Sequence, residues 1–151
     1  MPLKESELSL IHLIYVSTAT EELDDVELDR IMDSSVRRNT AARITGMLLY
    51  AGGNFMQVLE GPEADVDATM LRIAADPRHH GLVVIDRCAI DQRSFGAWHM
   101  GYRRVCRLDM QSHPSLAPYL SNGIDADGIA ARPGLAIEML QEFAYGQRLL
   151  G

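Results

Sequence analysis

The sequence of 151 residues has few cysteines, few basic residues and no long hydrophobic run. Its two cysteines, Cys88 and Cys106, can neither staple a domain of this size nor supply a zinc set, so we expect reduced thiols that act as packing residues. Fourteen Lys and Arg against 21 Asp and Glu give a net charge of −7, which disfavours binding to nucleic acid and to anionic membrane surfaces. No apolar run approaches the ~18 residues of a membrane span and no leader pattern opens the chain, so we predict a cytoplasmic protein.

Known catalytic and metal-binding motifs are also missing. There is no P-loop, dinucleotide-binding glycine motif, Gly-x-Ser-x-Gly or kinase signature, so we do not expect an enzyme. The adjacent His79 and His80 diverge on a strand, and residues 125–128 lack the first and last ligands of a calcium loop. The sequence therefore predicts no metal site.

The chain does have the composition of a globular domain, with 47% hydrophobic and 23% charged residues. Its apolar spacing predicts, in order, a strand over 10–17, a helix that begins at Asp24 and Asp25, strands over 47–51 and 55–60 joined by Gly52, Gly53 and Asn54, a helix from Pro62 to Asp76, and strands over 82–85 and 98–105. This βαββαβ order with an extra strand predicts an α+β, ferredoxin-like sheet with two helices on one face.

The composition changes after Asp109, where prolines and glycines mark a loop. An amphipathic helix over 135–149 follows it. We therefore divide the chain into a domain over 9–105 and a C-terminal helical extension over 106–151, which packs on the domain or on a partner.

Several polar residues lie at positions where the pattern calls for apolar ones. On the first helix, Ile31, Ser35 and Asn39 share one face, and a bare Ser or Asn in a core costs roughly 1–3 kcal/mol unless it is hydrogen-bonded. Taken alone, Ser35 could bond its own helix and Asn39 could be the C-cap, which is the better interpretation of Asn39 by itself.

Polar residues also interrupt the apolar pattern of two strands. Gln57 shares a side of its strand with Phe55 and Leu59, and its amide can donate and accept at once, which suits a relay between two polar groups. Tyr15 lies in the middle of the first strand, where a core tyrosine bonded to backbone is the simpler alternative. Together with Ser35 and Asn39, however, these residues predict a cavity for a polar, planar ligand.

At this point the sequence resembles a known family. The segments that carry the resemblance are residues 14–17 (IYVS), 35–39 (SVRRN), 44–50 (ITGMLLY), 55–61 (FMQVLEG), 76–80 (DPRHH) and 95–100 (FGAWHM). Together they resemble BLUF domains, the blue-light sensors that use FAD. The resemblance covers residues 9–105, about two thirds of the chain, and the ordered set of Tyr, Asn, Gln and Trp-x-Met is more specific than any one motif.

The resemblance implies where the flavin ring would lie. It would be held between the two helices, with Ile31 and Ile73 against its two faces. Asn39 would bond the carbonyl and imide edge of the ring. Gln57 would lie between Tyr15 and the flavin.

It also implies roles for residues around the ring. Ser35 would bond near Gln57, and Trp98 and Met100 on the last strand would complete that wall of the pocket. Because either side of the sheet edge could accept Trp98, the direction of its side chain stays open. The family resemblance assigns three basic residues to the ribityl or phosphate region, namely Arg38, Arg78 and His79. Arginine suits phosphate because its planar fork makes two charge-assisted bonds, although a pair such as Arg37 and Arg38 is commonly a solvated helix face.

The chemistry implied is a photocycle rather than turnover. Tyr15, with an ordinary tyrosine pKa near 10, is neutral and can give an electron and a proton to the excited flavin. Gln57 would carry the proton and settle in a rotated or tautomeric arrangement that shifts the flavin absorption slightly to the red. A change worth on the order of 1 kcal/mol would then pass through Trp98, Met100 and the extension to an unidentified signalling protein or to a homo-oligomer.

Two other functions remain open at this point. One is a flavin-dependent electron carrier or oxidoreductase of ferredoxin-like fold, which would need an open substrate face. The other is an interaction module with an empty pocket, which the acidic charge and the amphipathic tail would suit.

Overall fold

The computed structural model describes residues 9–150, with side chains described as far as residue 144. The expectation that the chain has no leader concerns residues 1–8, which lie outside the described residues. Five strands are present: β1 (Leu10–Ala19), β2 (Thr45–Ala51), β3 (Asn54–Pro62), β4 (His79–Ile90) and β5 (Gly101–Arg104). The helices are α1 (Asp25–Ala42), α2 (Glu63–Ala74), α3 (Arg107–Ser112), α4 (Ala126–Ala130) and α5 (Leu135–Leu150), with a 3₁₀ turn over Ala117–Tyr119.

The strands form one sheet in the order β4-β1-β3-β2-β5. All neighbours are antiparallel except β2 and β5, which are parallel. The first four strands with α1 and α2 make the ferredoxin-like arrangement that the order of elements predicts, and β5 adds an edge. The α+β class is therefore confirmed.

The two faces of the sheet bury different sets of residues. The cavity face carries Leu13, Tyr15, Leu48 and Leu59, which pack with residues of α1 and α2. The packed face carries residues that point the other way along the same strands, Ile14, Met47, Leu49 and Val58, which pack with α4 and α5. This division follows from the alternation of side chains along a strand.

Local signals in the sequence explain where the first elements begin and turn. The Asp24 side chain accepts a hydrogen bond of 2.8 Å from Glu27 N and so caps α1, as predicted. Gly52 and Gly53 have φ of 55° and 82° at the tip of the β2–β3 hairpin, which an L side chain adopts only with strain. Both features position α1 and the hairpin beside β1.

The predicted last strand is wrong in its bounds. Residues 98–100 do not belong to β5, which begins at Gly101. The preceding loop is held instead by the buried Glu60 carboxylate, which accepts hydrogen bonds from Ser94 N at 2.6 Å and Phe95 N at 2.9 Å. Trp98 N then bonds Phe95 O at 3.0 Å in a turn, so this N–H is not available to a neighbouring strand.

Strand β4 is longer than the apolar run at 82–85 predicts, because most of its side chains are at least partly exposed and carry no hydrophobic signal. The two cysteines are free, but both are exposed rather than packing residues. Among residues 9–150, none of the helices combines the length and the apolar character that crossing a membrane demands.

Candidate functional site

A cavity lies between α1, α2 and the cavity face of the sheet. The space between the surrounding atoms, including the part open to solvent, is about 730 Å³. A concave site lined by apolar side chains and a few polar groups is typical of small-molecule and cofactor sites. The cavity is lined by Tyr15, Ile31, Ser35, Arg38, Asn39, Leu48, Phe55, Gln57, Thr69, Arg72, Ile73, Asp76, Arg78 and His79.

Tyr15 and Gln57 form the floor of this cavity. They face each other directly in the register of β1 and β3. The Tyr15 hydroxyl donates a hydrogen bond to Gln57 Oε1, and Gln57 Nε2 donates to the Met100 sulfur at 3.2 Å. These two bonds fix the orientation of the amide, with its oxygen towards Tyr15 and its nitrogen towards Met100.

The surroundings keep the Tyr15 phenol protonated. Burial raises its pKa well above the ordinary value of 10.0, and the nearby negative charge of Asp76 raises it further. Tyr15 is therefore a neutral hydrogen-bond donor at any physiological pH.

The inward face of α1 brings Ile31, Ser35 and Asn39 to the cavity wall. Asn39 is buried, and its Nδ2 donates a hydrogen bond of 2.8 Å to His99 O in the loop before β5. The interpretation of Asn39 as the helix C-cap is wrong, because α1 continues to Ala42 and the capping residue is Arg43, with φ of 59°. The Asn39 side chain thus connects α1 to the segment that leads into β5.

Charged groups gather at the mouth of the cavity. Arg38, Arg72 and Arg78 line it together with one carboxylate, Asp76, which binds Arg78 at 2.5 Å. The hydrogen bond from Arg78 holds the pKa of Asp76 below its usual value. Three guanidinium groups against one acid make this mouth attractive to an anion, although the whole chain carries a net charge of −7.

His79 also lines the cavity, but both of its ring nitrogens are engaged within the chain. Nδ1 lies 2.7 Å from Ser17 Oγ, and Nε2 lies 2.6 Å from Ile73 O. Because a carbonyl only accepts, Nε2 carries a proton and donates a hydrogen bond to Ile73 O. His79 therefore ties the end of α2 to β1.

Trp98, whose orientation the sequence left open, does not line the cavity wall that the family resemblance implies for it. It packs on the opposite side of the sheet, stacked on Phe95 with ring centroids 6.2 Å apart, and it is not among the cavity-lining residues. Met100 is buried with the cavity-face residues and touches Gln57. The turn that Glu60 imposes on residues 94–98 explains why the two side chains point to opposite faces.

Sequence reasoning misses five lining residues, namely Leu48, Phe55, Thr69, Arg72 and Asp76. Only Thr69 has a readable signal, because it lies four residues before Ile73 on α2, whereas Arg72 is adjacent to Ile73 and Asp76 follows the end of the helix. The other two lie on the cavity face of their strands and are indistinguishable in sequence from ordinary core residues.

Known proteins resemble this chain over most of the residues that form the sheet and the cavity. A family model described as sensors of blue light using FAD matches residues 10–101, more than half of the chain. Photoactivated adenylate cyclase subunit beta of Euglena longa is 39% identical over 89 residues, which is 59% of this chain and 10% of that protein. The blue light- and temperature-regulated antirepressor BluF of Escherichia coli is 34% identical over 87 residues, 58% of this chain and 22% of that protein.

Solved structures agree with the fold. BlrB, a BLUF protein in its dark state, superposes with a TM-score of 0.66 at 31% identity and covers 82% of this chain and 96% of its own. Klebsiella pneumoniae BlrP1 with FMN and cyclic diGMP gives a TM-score of 0.59 at 34% identity and covers 63% of this chain and 26% of its own. The chain spans about a tenth of the length of the cyclase subunits that it matches.

Proposed function

This chain belongs to the BLUF family, the sensors of blue light using FAD, and from that membership we propose that FAD fills the cavity and that Tyr15 and Gln57 turn light into a change of hydrogen bonding. The chain is a flavin-based blue-light sensor. The observation that carries the proposed mechanism is the hydrogen bond from the Tyr15 hydroxyl to Gln57 Oε1 on the cavity floor.

The cavity residues fit a flavin ring. A flat, mostly apolar ring needs apolar surfaces on its faces, and Ile31 and Ile73 project from the two helices into the cavity. Its polar edge needs donors and acceptors in one plane, which the amides of Asn39 and Gln57 supply. When bound, the flavin supplies absorption of blue light and an excited state that accepts an electron.

The phosphates of FAD would lie at the mouth, beside Arg38, Arg72 and Arg78. The guanidinium of Arg78 already holds a carboxylate, so Arg38 and Arg72 are freer to bind an anion. His79 stays a predicted contact of the same region. Because a related structure holds FMN, the identity of the flavin is tested by releasing it from purified protein and measuring its mass.

Tyr15 is the proposed electron donor. The loss of one electron makes a phenol strongly acidic, and the proton then moves along the existing hydrogen bond to Gln57 Oε1. Electron and proton would both return to Tyr15 when the separated charges recombine. No net redox change remains, and only the orientation of the Gln57 amide persists.

The Gln57 amide can leave the orientation that its two hydrogen bonds set, because one of these bonds is weak. A thioether sulfur is a poor acceptor, so the Nε2 bond to Met100 contributes little to the starting orientation. Rotation breaks the bond from Tyr15 and lets Nε2 face the phenol oxygen instead. The balance between the two states is then on the order of 1 kcal/mol, the usual net worth of one hydrogen bond. Ser35, which also lines the cavity, is the proposed neighbour of the rotated amide.

The structural change at Gln57 would be transmitted through Met100 and β5 rather than through the cavity mouth. Met100 directly precedes Gly101, and Arg103 on β5 binds the Asp109 carboxylate of α3. Arg103 also donates to Phe143 O of α5 at 3.3 Å and lies 5.9 Å from the centre of the Phe143 ring. Trp98, which packs on the other face of the sheet, would shift together with Met100 and β5. We therefore propose that residues 106–151 are the output element of a sensor domain over 9–105.

The partner would be another protein or further copies of this chain. We propose a cytoplasmic sensor without catalytic turnover. The low cysteine content suits the reducing cytoplasm, and the acidic charge suits a protein partner. Light scattering of dark and illuminated protein tests the oligomer directly. A mass that stays that of one chain in both states would exclude a homo-oligomeric output.

The decisive variant is Gln57→Leu, which keeps the size of the side chain but removes the amide. We expect it to retain flavin and to lose the small red shift under blue light, because no group remains to reorient. Gln92→Leu, the same change at an exposed loop residue, is the control and should keep the shift. A normal red shift in Gln57→Leu would refute the role of Gln57, and lasting bleaching with oxidation of an added donor would favour a flavin enzyme.

A further inference from the structure

A second cluster of chemically active side chains lies on the opposite side of the sheet from the cavity. His12 of β1 faces Cys88 of the edge strand β4 in the register of the two strands. Asp86 lies two residues before Cys88 and therefore on the same face. One ligand atom from each of the three residues falls within 4.8 Å of the others.

The contacts within this cluster converge on one atom. His12 Nε2 lies 2.7 Å from Asp86 Oδ2 and 3.2 Å from Cys88 Sγ. A neutral imidazole nitrogen offers either one proton or one lone pair, so it serves only one of these two neighbours well. A cation among the three atoms would instead accept a lone pair from each of them.

Access and surroundings also suit a cation. The His12 side chain is 8% exposed and held rigidly between strands, whereas that of Asp86 is 43% exposed and Cys88 is exposed. Glu60, which faces His12 from β3, is buried and occupied by the backbone N–H groups of Ser94 and Phe95. The cluster thus offers three protein ligands and leaves a fourth direction open to solvent.

We propose that His12, Asp86 and Cys88 bind a divalent transition-metal ion of the zinc class, with water as the fourth ligand. Imidazole nitrogen, carboxylate oxygen and thiolate sulfur are all zinc ligands, at about 2.0, 2.1 and 2.3 Å from the ion. The strand pairing already brings the three ligand atoms within 4.8 Å of one another, so side-chain adjustment alone would let all three reach one ion. The bond from the metal to sulfur forms as the thiol releases its proton to solvent, and no electron is transferred.

Metal binding must displace the proton of the Cys88 thiol, as it does at other thiolate sites. Once bound, the ion would fasten the edge strand β4 to β1, three residues from Tyr15.

The test uses Co²⁺ as a spectroscopic substitute for zinc, added to the full-length protein. Tetrahedral Co²⁺ bound through a thiolate gives absorption bands in the red, where flavin does not absorb, and a sulfur-to-cobalt band in the near ultraviolet. We expect both bands to saturate at one ion per chain and to disappear when Zn²⁺ is added. An absence of the red bands in wild-type protein would overturn the proposal.

Two cysteine variants make the assignment specific. Cys88→Ser should remove the sulfur-to-cobalt band and weaken Zn²⁺ binding by more than the ~100-fold that loss of a group merely supporting a ligand can cost. Cys106→Ser, at the other free and exposed cysteine, is the matched control and should change neither. Loss of the band in Cys106→Ser, or its survival in Cys88→Ser, would refute the site.

Asp86→Asn adds a test that does not depend on sulfur. It keeps the shape of the side chain and removes its charge, so metal binding should weaken while the metal-free protein melts at an unchanged temperature. Zn²⁺ should raise the melting temperature of wild type and raise that of Asp86→Asn less. Equal rises in the two proteins would show that the ion binds elsewhere.

Discussion

Helix α1 meets the cavity face of the sheet with Ile31, Ser35 and Asn39, whereas α5 meets the packed face with Met139, Leu140 and Phe143. The three residues of α5 are fully buried, while Ile31 and Ser35 are only partly so. The same sheet thus has one face that is covered by packed side chains of its own chain and one face that leaves a cavity for a ligand. Polar residues on an inward stripe identify the second kind of face.

The contrast also separates stability from light sensing. The packed face should supply most of the free energy of unfolding, because burial of apolar surface is the dominant favourable contribution to folding. The residues of the cavity face should carry out the photochemistry and contribute little to the free energy of unfolding. The following substitutions test this division, beginning with the largest expected effect.

Phe143→Ala should be the most damaging. Its ring is completely buried, and truncation of such a residue typically lowers the free energy of unfolding by about 3–5 kcal/mol. Urea unfolding measures the loss. Leu108→Ala, in the same extension but at a 70% exposed residue, should change stability by no more than about 0.5 kcal/mol. Equal losses in the two variants would mean that α5 does not contribute to the core.

Asp109→Asn should weaken the attachment of the extension by roughly 1.5–3 kcal/mol, the range for hydrogen bonds to charged groups. Burial acts to raise the pKa of Asp109, but hydrogen bonds from Cys106 and Arg103 prevail and hold that pKa below 3.8. Because the pKa is lowered in the folded state, the stabilisation is complete above the ordinary carboxyl range and is lost as the pH falls through the folded-state pKa.

Unfolding of wild type and Asp109→Asn at several pH values checks this sign. The difference between the two proteins should be constant near neutral pH and should shrink in acid. A difference that grows in acid would contradict the assignment of the ion pair with Arg103 as the link between β5 and α3.

Tyr15→Phe should abolish the light response but cost only about 1 kcal/mol of stability, since it removes one hydrogen bond and no volume. Absorption spectra before and after blue light measure the response. Tyr50→Phe is the control on the same face, where the hydroxyl accepts a hydrogen bond from Leu23 N. A normal photocycle in Tyr15→Phe would exclude Tyr15 as the electron donor.

Asn39→Ala should have the smallest effect of the four. We expect flavin affinity to fall by at most about tenfold, the equivalent of one hydrogen bond, with normal photochemistry in the fraction that stays loaded. Equilibrium dialysis of the flavin measures the change. Thr40→Ala, the exposed neighbour on the outer side of α1, should leave affinity unchanged. If Asn39→Ala binds flavin as tightly as wild type, Asn39 does not contribute to flavin binding and serves only to hydrogen-bond His99.

The regular part of the fold could be predicted because its signals are local. Asp24 caps α1, two glycines turn the hairpin, and the apolar spacing defines both long helices. The cavity followed from the same logic, since Tyr15 and Gln57 interrupt apolar strands and meet across β1 and β3. Their roles in light sensing stay predictions.

The features that sequence reasoning missed depend on contacts between distant parts of the chain. The start of β5 was misplaced because Glu60, 34 residues away from Ser94, captures the loop before it. Cys88 was taken as a packing residue because its histidine, His12, is 76 residues away in sequence. Neither contact leaves a periodic pattern, so only the assembled sheet reveals them.

Gly46 shows how close the backbone lies beneath Met100. A Cβ atom on Gly46 would lie 1.9 Å from Val58 O and 3.2 Å from Met100 Cε, and Gly46 N bonds Trp98 O at 3.2 Å. No other amino acid fits there without moving β3 itself. If distant relatives keep a glycine at this site, steric crowding would be the reason and not photochemistry. A list of chromophore contacts drawn up from invariant residues alone would therefore include this glycine wrongly.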